Sequence, residues 1–512
     1  MSIFRFPVLV WLGIGILIIC LGIRQSFGIF MMPISDYFQT GREFFSFAIA
    51  LQNLLFGVFQ PFVGMASDRW GAKRIIILGA FSYALGLYLT SIAIEPTMMY
   101  LSLGILVGFG LSATSYVIVL GAVAKVVPAQ HAAKAFGLTT AAGSFGMFAM
   151  IPGAQVLLSD FGWQGALQAF AVLCSFMVMF ALFMRTAKPQ ASNHANVQED
   201  TQTLKEALKE AFSHRGYWLI HAGFFVCGFH VMFIATHLPS YLADKDLPAS
   251  TAAMALAYVG IFNIFGSYFW GVMADRFNKR HVMSALYLIR TVVIGAFVTL
   301  PVTEHTAVIF GGAIGFCWLG TVPLTSGLVR QIFGARYLST LYGLVFFTHQ
   351  VGSFLGAWVG GRIYDYYGSY DPIWWSTVVL ALLAALIHLP INDKPVSRLN
   401  LATTYPERLL TSTVESLFVN SPMISAFLYQ MSILINDFLF KIKHTHSSSV
   451  KICVTYFVES YKSKRVLDEN TWQHHLVFIR WRIHGIAVVA IRYSCVHQHH
   501  RDSVGASLFR HG

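Results

Sequence analysis

Through residue 392 the chain alternates long apolar runs with short polar or charged turns, and beyond about residue 395 that rhythm stops. A helix that crosses a bilayer needs about 20 mostly apolar residues. Twelve runs qualify: 8–31, 44–65, 74–94, 97–120, 136–158, 164–184, 216–240, 251–273, 281–301, 306–328, 338–361 and 371–391. The run after Met1 is too long, and too directly continuous with Arg24 and Gln25, to read as a cleaved leader, so it is taken as the first span. The prediction is an all-α integral membrane protein with twelve transmembrane helices.

The pattern is duplicated. The turn Gly64-x-x-x-Asp68-Arg69-x-Gly71-x-Lys73-Arg74 sits between the second and third runs, and a shorter copy, Gly271-x-x-x-Asp275-Arg276-x-Asn278-Lys279-Arg280, sits between the eighth and ninth. Shifted by 206 residues, Gly22, Arg24, Phe27 and Pro33 of the first run fall on Gly228, His230, Phe233 and Pro239 of the seventh, and Gly137-Leu138 falls on Gly343-Leu344. Two pseudo-symmetric six-helix bundles are the economical reading, with a substrate site near the bilayer midplane between them. The expected layout is an N-terminal bundle over 1–185, a cytoplasmic linker over 186–214, a C-terminal bundle over 215–394 and a cytoplasmic tail over 395–512. Within the linker, the stretch from Thr203 to Phe212 interleaves acidic and basic residues at helical spacing, which predicts a short surface helix.

The repeated turn resembles the signature of the major facilitator superfamily, and the resemblance runs over roughly residues 8 to 392. It implies that fold, alternating access, and a gating role for Asp68, Arg69 and Arg74 as a charge relay that latches the two halves on the cytoplasmic side, with Gly64 and Gly71 allowing close packing and a sharp turn. Asp275, Arg276 and Arg280 are the second copy, in which Asn278 replaces the glycine as a residue that tolerates the same left-handed backbone. Ile151-Pro152-Gly153 is similar to a Gly-Pro motif of drug antiporters but lacks its full glycine pattern.

Composition agrees with this class. Hydrophobic residues make up 56% and charged residues 11% of the chain, too little polar surface to cover a soluble core. With the N-terminus inside, sixteen Lys and Arg fall in inner loops and three, Arg42, Lys245 and Arg362, in outer ones. That asymmetry predicts cytoplasmic termini and a plasma (inner) membrane location. The net charge of +12 therefore reports topology and contact with anionic lipid rather than nucleic acid. The six cysteines are scattered and show neither a disulfide framework nor a metal-ligand spacing. No cofactor is expected, no nucleotide loop is present, and the protein is expected to act as a monomer. Glycines 104, 108, 110, 143, 146, 352, 356, 360 and 361 read as helix-packing positions.

Ionisable groups inside spans are costly and mark sites by default. Those singled out are Arg24, His221, His230, His237, Arg290 and His349, and no Asp or Glu falls in the interior of a span. The lining is cationic or neutral-polar, which points to an anionic substrate. Arg24 leads, because a guanidinium keeps its charge and its planar fork matches a carboxylate; the competing reading is a structural arginine on helix-end carbonyls. His230 and His237, seven residues apart, share a helix face and are expected to line the pathway, with histidine able to carry a coupled proton. Arg290 is expected to pair structurally.

Arg24-Gln25-Ser26 followed by Phe30 resembles the first helix of the monocarboxylate and oxalate/formate branch, where a Lys at the corresponding place binds the carboxylate. His349-Gln350 resembles that branch's eleventh helix, where the oxalate/formate relatives carry a substrate-binding Lys. In the eighth span relatives place an Arg; this chain offers Asn263 and Ser267. The tail from Pro395 to Gly512 carries nine histidines, including His497, His499 and His500, without a repeat or a span. It reads as either a disordered extension or a non-native reading-frame product; a His-rich metal site is the weaker alternative. The functional expectation is a secondary transporter of a small mono- or dicarboxylate by proton symport or anion exchange. A drug exporter would call for a buried carboxylate, an enzyme for a nucleophile or metal constellation, and a sensor for an output domain.

Overall fold

The computed structural model describes residues 7–124, 126–127, 129–184, 202–334, 336–400, 475–483 and 486–494. Arg5, Lys125, Arg185, Lys188, Cys453, Cys495, His497, His499 and His500 lie outside the described residues. The chain divides into two compact units, Met1–Glu415 and Ser416–Gly512. In the second, strands His475–Ile483 and Ile486–Ser494 pair antiparallel, with His475 opposite Ser494.

The first unit is helical. Ten helical stretches are long and apolar enough to cross a membrane. One of them, Ala135–Phe183, holds the fifth and sixth expected spans, which part at Gly162, where φ is +66°. The eleventh span is the 30-residue helix Leu338–Tyr367. The ends follow local chemistry. Gly71 closes the second span at φ +88°, a left-handed φ that favours glycine, and its N–H donates to Ser67 O at 2.9 Å. Asn278 in the second copy is different: at φ −60° it is an N-cap whose side chain accepts from Arg280 N, so the expectation of a left-handed turn there is corrected. The linker helix Leu204–Ser213 opens on a capping box between Thr203 and Glu206. The backbone N–H of Thr203 holds the exposed Glu206 carboxyl below its usual range.

The internal two-fold shows in specific contacts. Thr114 Oγ1 lies 3.1 Å from Cys20 Sγ, and Thr321 Oγ1 lies 3.1 Å from Cys227 Sγ, each atom pair 207 residues on. Gly146 packs on Ile18, as Gly352 packs on Phe225. The first and seventh spans thus superpose at an offset of 207, one residue more than the sequence match suggests. One residue turns a helix by about 100°. Structurally, Arg24 is therefore equivalent to Val231, and His230 to the fully buried Ile23.

The spans equivalent to each other at positions four and ten are both interrupted. The fourth turns extended at Ser115, with ψ −173°, and the tenth breaks between Glu304–Phe316 and Thr321–Phe333. The break is held from two sides. Arg290 Nη2 donates to the carbonyls of Cys317 (2.5 Å) and Trp318 (3.0 Å), and Asn263 Oδ1 accepts the N–H of Leu319 at 2.9 Å. A guanidinium at the C-terminal end of a helix meets unpaired carbonyls and the negative end of the dipole. This is the structural pairing expected of Arg290.

Along the junction of the halves, the second and eleventh spans run antiparallel. Ser46 meets Gly361, Phe47 lies edge-on to Trp358 with centroids 5.9 Å apart, and Gly57 abuts Gln350. The eighth and fifth spans make the equivalent contact, Gly260 lying against Ser144 and Met147. Extended toward the inner end, the side predicted to face the cytoplasm, these registers set Gly64 opposite Gly343 and Gly271 opposite Gly137. There the packing stops: a Cβ on any of the four would meet no atom of the described residues within 4 Å. At the outer end the halves are latched. Arg42 donates through both Nη atoms to Asp244 (2.7 and 2.6 Å) with its guanidinium 3.5 Å from the Tyr364 ring centroid. Asp365 accepts the backbone N–H of Arg42 (2.9 Å) and Glu43 (2.8 Å), capping the second span from the opposite half.

Candidate substrate site

Arg24 is half-buried where the halves meet. Its Nη2 donates to Asn53 Oδ1 of the second span at 2.5 Å and touches Met232 Sδ of the seventh at 3.4 Å, so both halves contact one nitrogen. Asn53 is fully buried, and its Nδ2 donates to Ile49 O at 2.8 Å, which fixes the amide with its oxygen toward Arg24. Arg24 Nε is buried without a hydrogen-bond partner. Among the described residues no carboxylate is seen paired with this guanidinium. Carboxylates on the spans stand at their ends, as Asp36, Glu43, Asp68, Asp275, Glu304, Asp365 and Asp371 do.

An aromatic layer continues from Arg24 into the other half. Its Cζ lies 5.6 Å from the Phe56 centroid; Phe56 meets Phe346 edge-on at 5.9 Å; Phe346 stacks on His349 at 5.7 Å and 4°. Gln350 packs its stem on Gly57, one helical turn from Asn53, and leaves Oε1 buried without a partner. His349 Nδ1 lies 3.5 Å from Ser353 Oγ. Arg24, His349 and Gln350 are thus grouped around the junction of the second and eleventh spans.

The other candidates point elsewhere. His230, 1% exposed, bonds through Nε2 to Thr377 O on the twelfth span at 3.0 Å. The helical turn between offsets 206 and 207 takes it into the second bundle rather than onto the pathway, which corrects that expectation. His237 is also interior, with Nδ1 3.1 Å from Tyr370 Oη and Nε2 2.6 Å from Ala357 O. It does not line a shared pathway with His230. Gln25 faces the fifth span, its Nε2 3.6 Å from Met147 Sδ. Asn263 is committed to the broken tenth span and, through Nδ2, to Ser144 Oγ at 2.8 Å. Its amide oxygen is occupied by the backbone, so the expected substrate contact is replaced by a structural one.

In the inner turn, Asp68, Arg69 and Arg74 are exposed, and Lys73 Nζ donates to Leu182 O at 2.6 Å. In the second copy, Asp275 and Arg276 are exposed and Arg280 Nη1 donates to Ile391 O at 2.8 Å. Asn53, Phe56, Phe346 and the Arg42–Asp244 latch are what residue-by-residue reading missed. The available signal was the adjacent amides Gln52-Asn53 within an apolar run. Among the described residues no group of three or more His, Cys, Asp or Glu is placed to hold a metal ion.

A family model for the Major Facilitator Superfamily matches residues 12–356, and again 247–458. The chain belongs to the Major Facilitator Superfamily. Among its relatives in that superfamily is the uncharacterized MFS-type transporter YcxA of Bacillus subtilis, 27% identical over 387 residues, covering 72% of this chain and 91% of that protein. Monocarboxylate transporter 13 of Rattus norvegicus is 26% identical over 403 residues, covering 76% and 89%. In fold, the chain matches the nucleoside transporter NupG with a TM-score of 0.61 at 14% identity, covering 75% of this chain and 100% of that one. The chain is therefore a multi-pass membrane transporter of this superfamily and not an enzyme.

Proposed function

We propose that this transporter carries small organic anions between the two sides of the plasma (inner) membrane by alternating access, with both termini cytoplasmic, coupled to proton symport or anion exchange. The observation that carries the reading is the guanidinium of Arg24, held at the junction of the halves by a neutral amide and a thioether, with Nε unpaired. A permanent charge half-buried in a protein is stabilised by an opposite charge, and here a substrate carboxylate supplies it. At about 4 Å and an effective dielectric near 20, that attraction is worth about 4 kcal/mol, comparable with the several kcal/mol that burying each ion costs. The outer latch and unpacked inner glycines support alternating access, and the monocarboxylate transporters among its relatives support the anion class.

The test is uptake into proteoliposomes under imposed pH gradients, with labelled carboxylates. Arg24→Gln is expected to abolish uptake while leaving membrane insertion intact, and Arg24→Lys to keep part of it, since lysine retains the charge without the fork. Carboxylate uptake at normal affinity by Arg24→Gln would overturn the assignment.

A further inference from the structure

We infer that the substrate is a monocarboxylate borne on an aromatic body, its carboxylate on Arg24 and its ring in the layer formed by Phe56, Phe346 and His349. This rests on the anion reading above and narrows it. Two observations lead there. The first is charge. A second carboxylate is held most strongly by a second permanent cation, and the remaining intramembrane arginine, Arg290, is 1% exposed, its Nη2 on the carbonyls of Cys317 and Trp318 and its Nε and Nη1 buried without a partner. Arg42 is committed to Asp244 at the outer end. Among the described residues Arg24 is the fixed charge left at the junction, which matches one carboxylate.

The second is the surface beside that charge. The guanidinium lies over Phe56, which abuts Phe346, which stacks on His349; Phe224 closes the layer behind His349 at 4.7 Å. Phe56 comes from the first half and the rest from the second, so the layer spans the surfaces that move relative to each other. Phe346 is half-buried and so accessible to a ligand. Aromatic rings prefer offset or edge-on partners and bury a large apolar area at small entropic cost. A carboxylate as small as acetate would engage Arg24 and leave the layer without a partner. An aromatic acid engages both.

The experiment uses the full chain in proteoliposomes and reads inhibition constants for four probes: phenylacetate, acetate, succinate and uncharged phenylacetamide. Phenylacetate is expected to bind at least ~10-fold tighter than acetate, with succinate and phenylacetamide weaker than phenylacetate. Phe346→Leu is expected to lower the phenylacetate-to-acetate affinity ratio to near unity; Phe346→Tyr, which keeps the ring, is expected to keep the ratio. Acetate or succinate binding as well as phenylacetate overturns the aromatic monocarboxylate while leaving an anion transporter standing. Binding of phenylacetamide as tight as phenylacetate, unaffected by Arg24→Gln, overturns the anion reading itself. Should Phe346→Leu fail to insert, the wild-type ratios decide the matter alone.

Discussion

Asn53 Oδ1 accepts the Nη2 hydrogen of Arg24 at 2.5 Å while Asn53 Nδ2 donates to Ile49 O at 2.8 Å. The second bond sets the amide orientation, and the amide then fixes the cation without neutralising it. Asn53→Asp is expected to pair internally with Arg24 and compete with the substrate. A hydrogen bond between charged groups is worth about 1.5–3 kcal/mol, so substrate affinity should fall ~10- to 100-fold with expression and thermal stability preserved. Wild-type uptake by this variant would remove the role given to Asn53.

Arg42 and Asp244 join the outer ends of the two halves, with side chains 8% and 25% exposed. Replacing either by a neutral residue should favour the outward-open state, read as increased labelling of a cysteine introduced at the outer end of the eleventh span. The exchange Arg42→Asp with Asp244→Arg should restore part of the closure. Labelling equal to that of the wild type in the single variants and the exchange would show that the latch does not hold the halves.

Gly64 and Gly343 lie in register at the unpacked inner end, whereas Gly361 is pressed against Arg42, Glu43 and Ser46 at the outer end. Gly64→Leu should fold normally and bind substrate from the inner side, yet fail to complete transport, because its side chain occupies the space the eleventh span must enter. Gly361→Leu should instead lower thermal stability, since its Cβ overlaps atoms already there. Normal turnover by Gly64→Leu would refute closure along this seam.

His230 Nε2–H donates to Thr377 O on the twelfth span, within the second bundle. His230→Gln is expected to lower stability by about 1 kcal/mol through loss of that bond while leaving pH-driven accumulation intact. Survival of exchange with loss of accumulation would return the proton to this residue.

Much of the fold was legible because a bilayer imposes its period on the sequence: twenty apolar residues per crossing, basic residues on one side, and a glycine where Gly71 must take a positive φ. Arg24 was legible for the same reason, since a guanidinium in an apolar run has few explanations. The neighbours of a side chain were not. A helix position is known only to within the register of its repeat, and one residue of slip, 206 against 207, sends His230 to the twelfth span instead of the junction. Asn263 was expected to contact the substrate, yet its oxygen is claimed by Leu319 N because the tenth span breaks there, and that break exists only in three dimensions. Sequence alone determined the spans, their duplication and the presence of a cation, Arg24, within the first span, because these depend on the hydration cost of each residue. Which rings lie beside Arg24, and which charges latch the outer end, was decided by packing between segments some 30 to 320 residues apart, whose contacts no local pattern encodes.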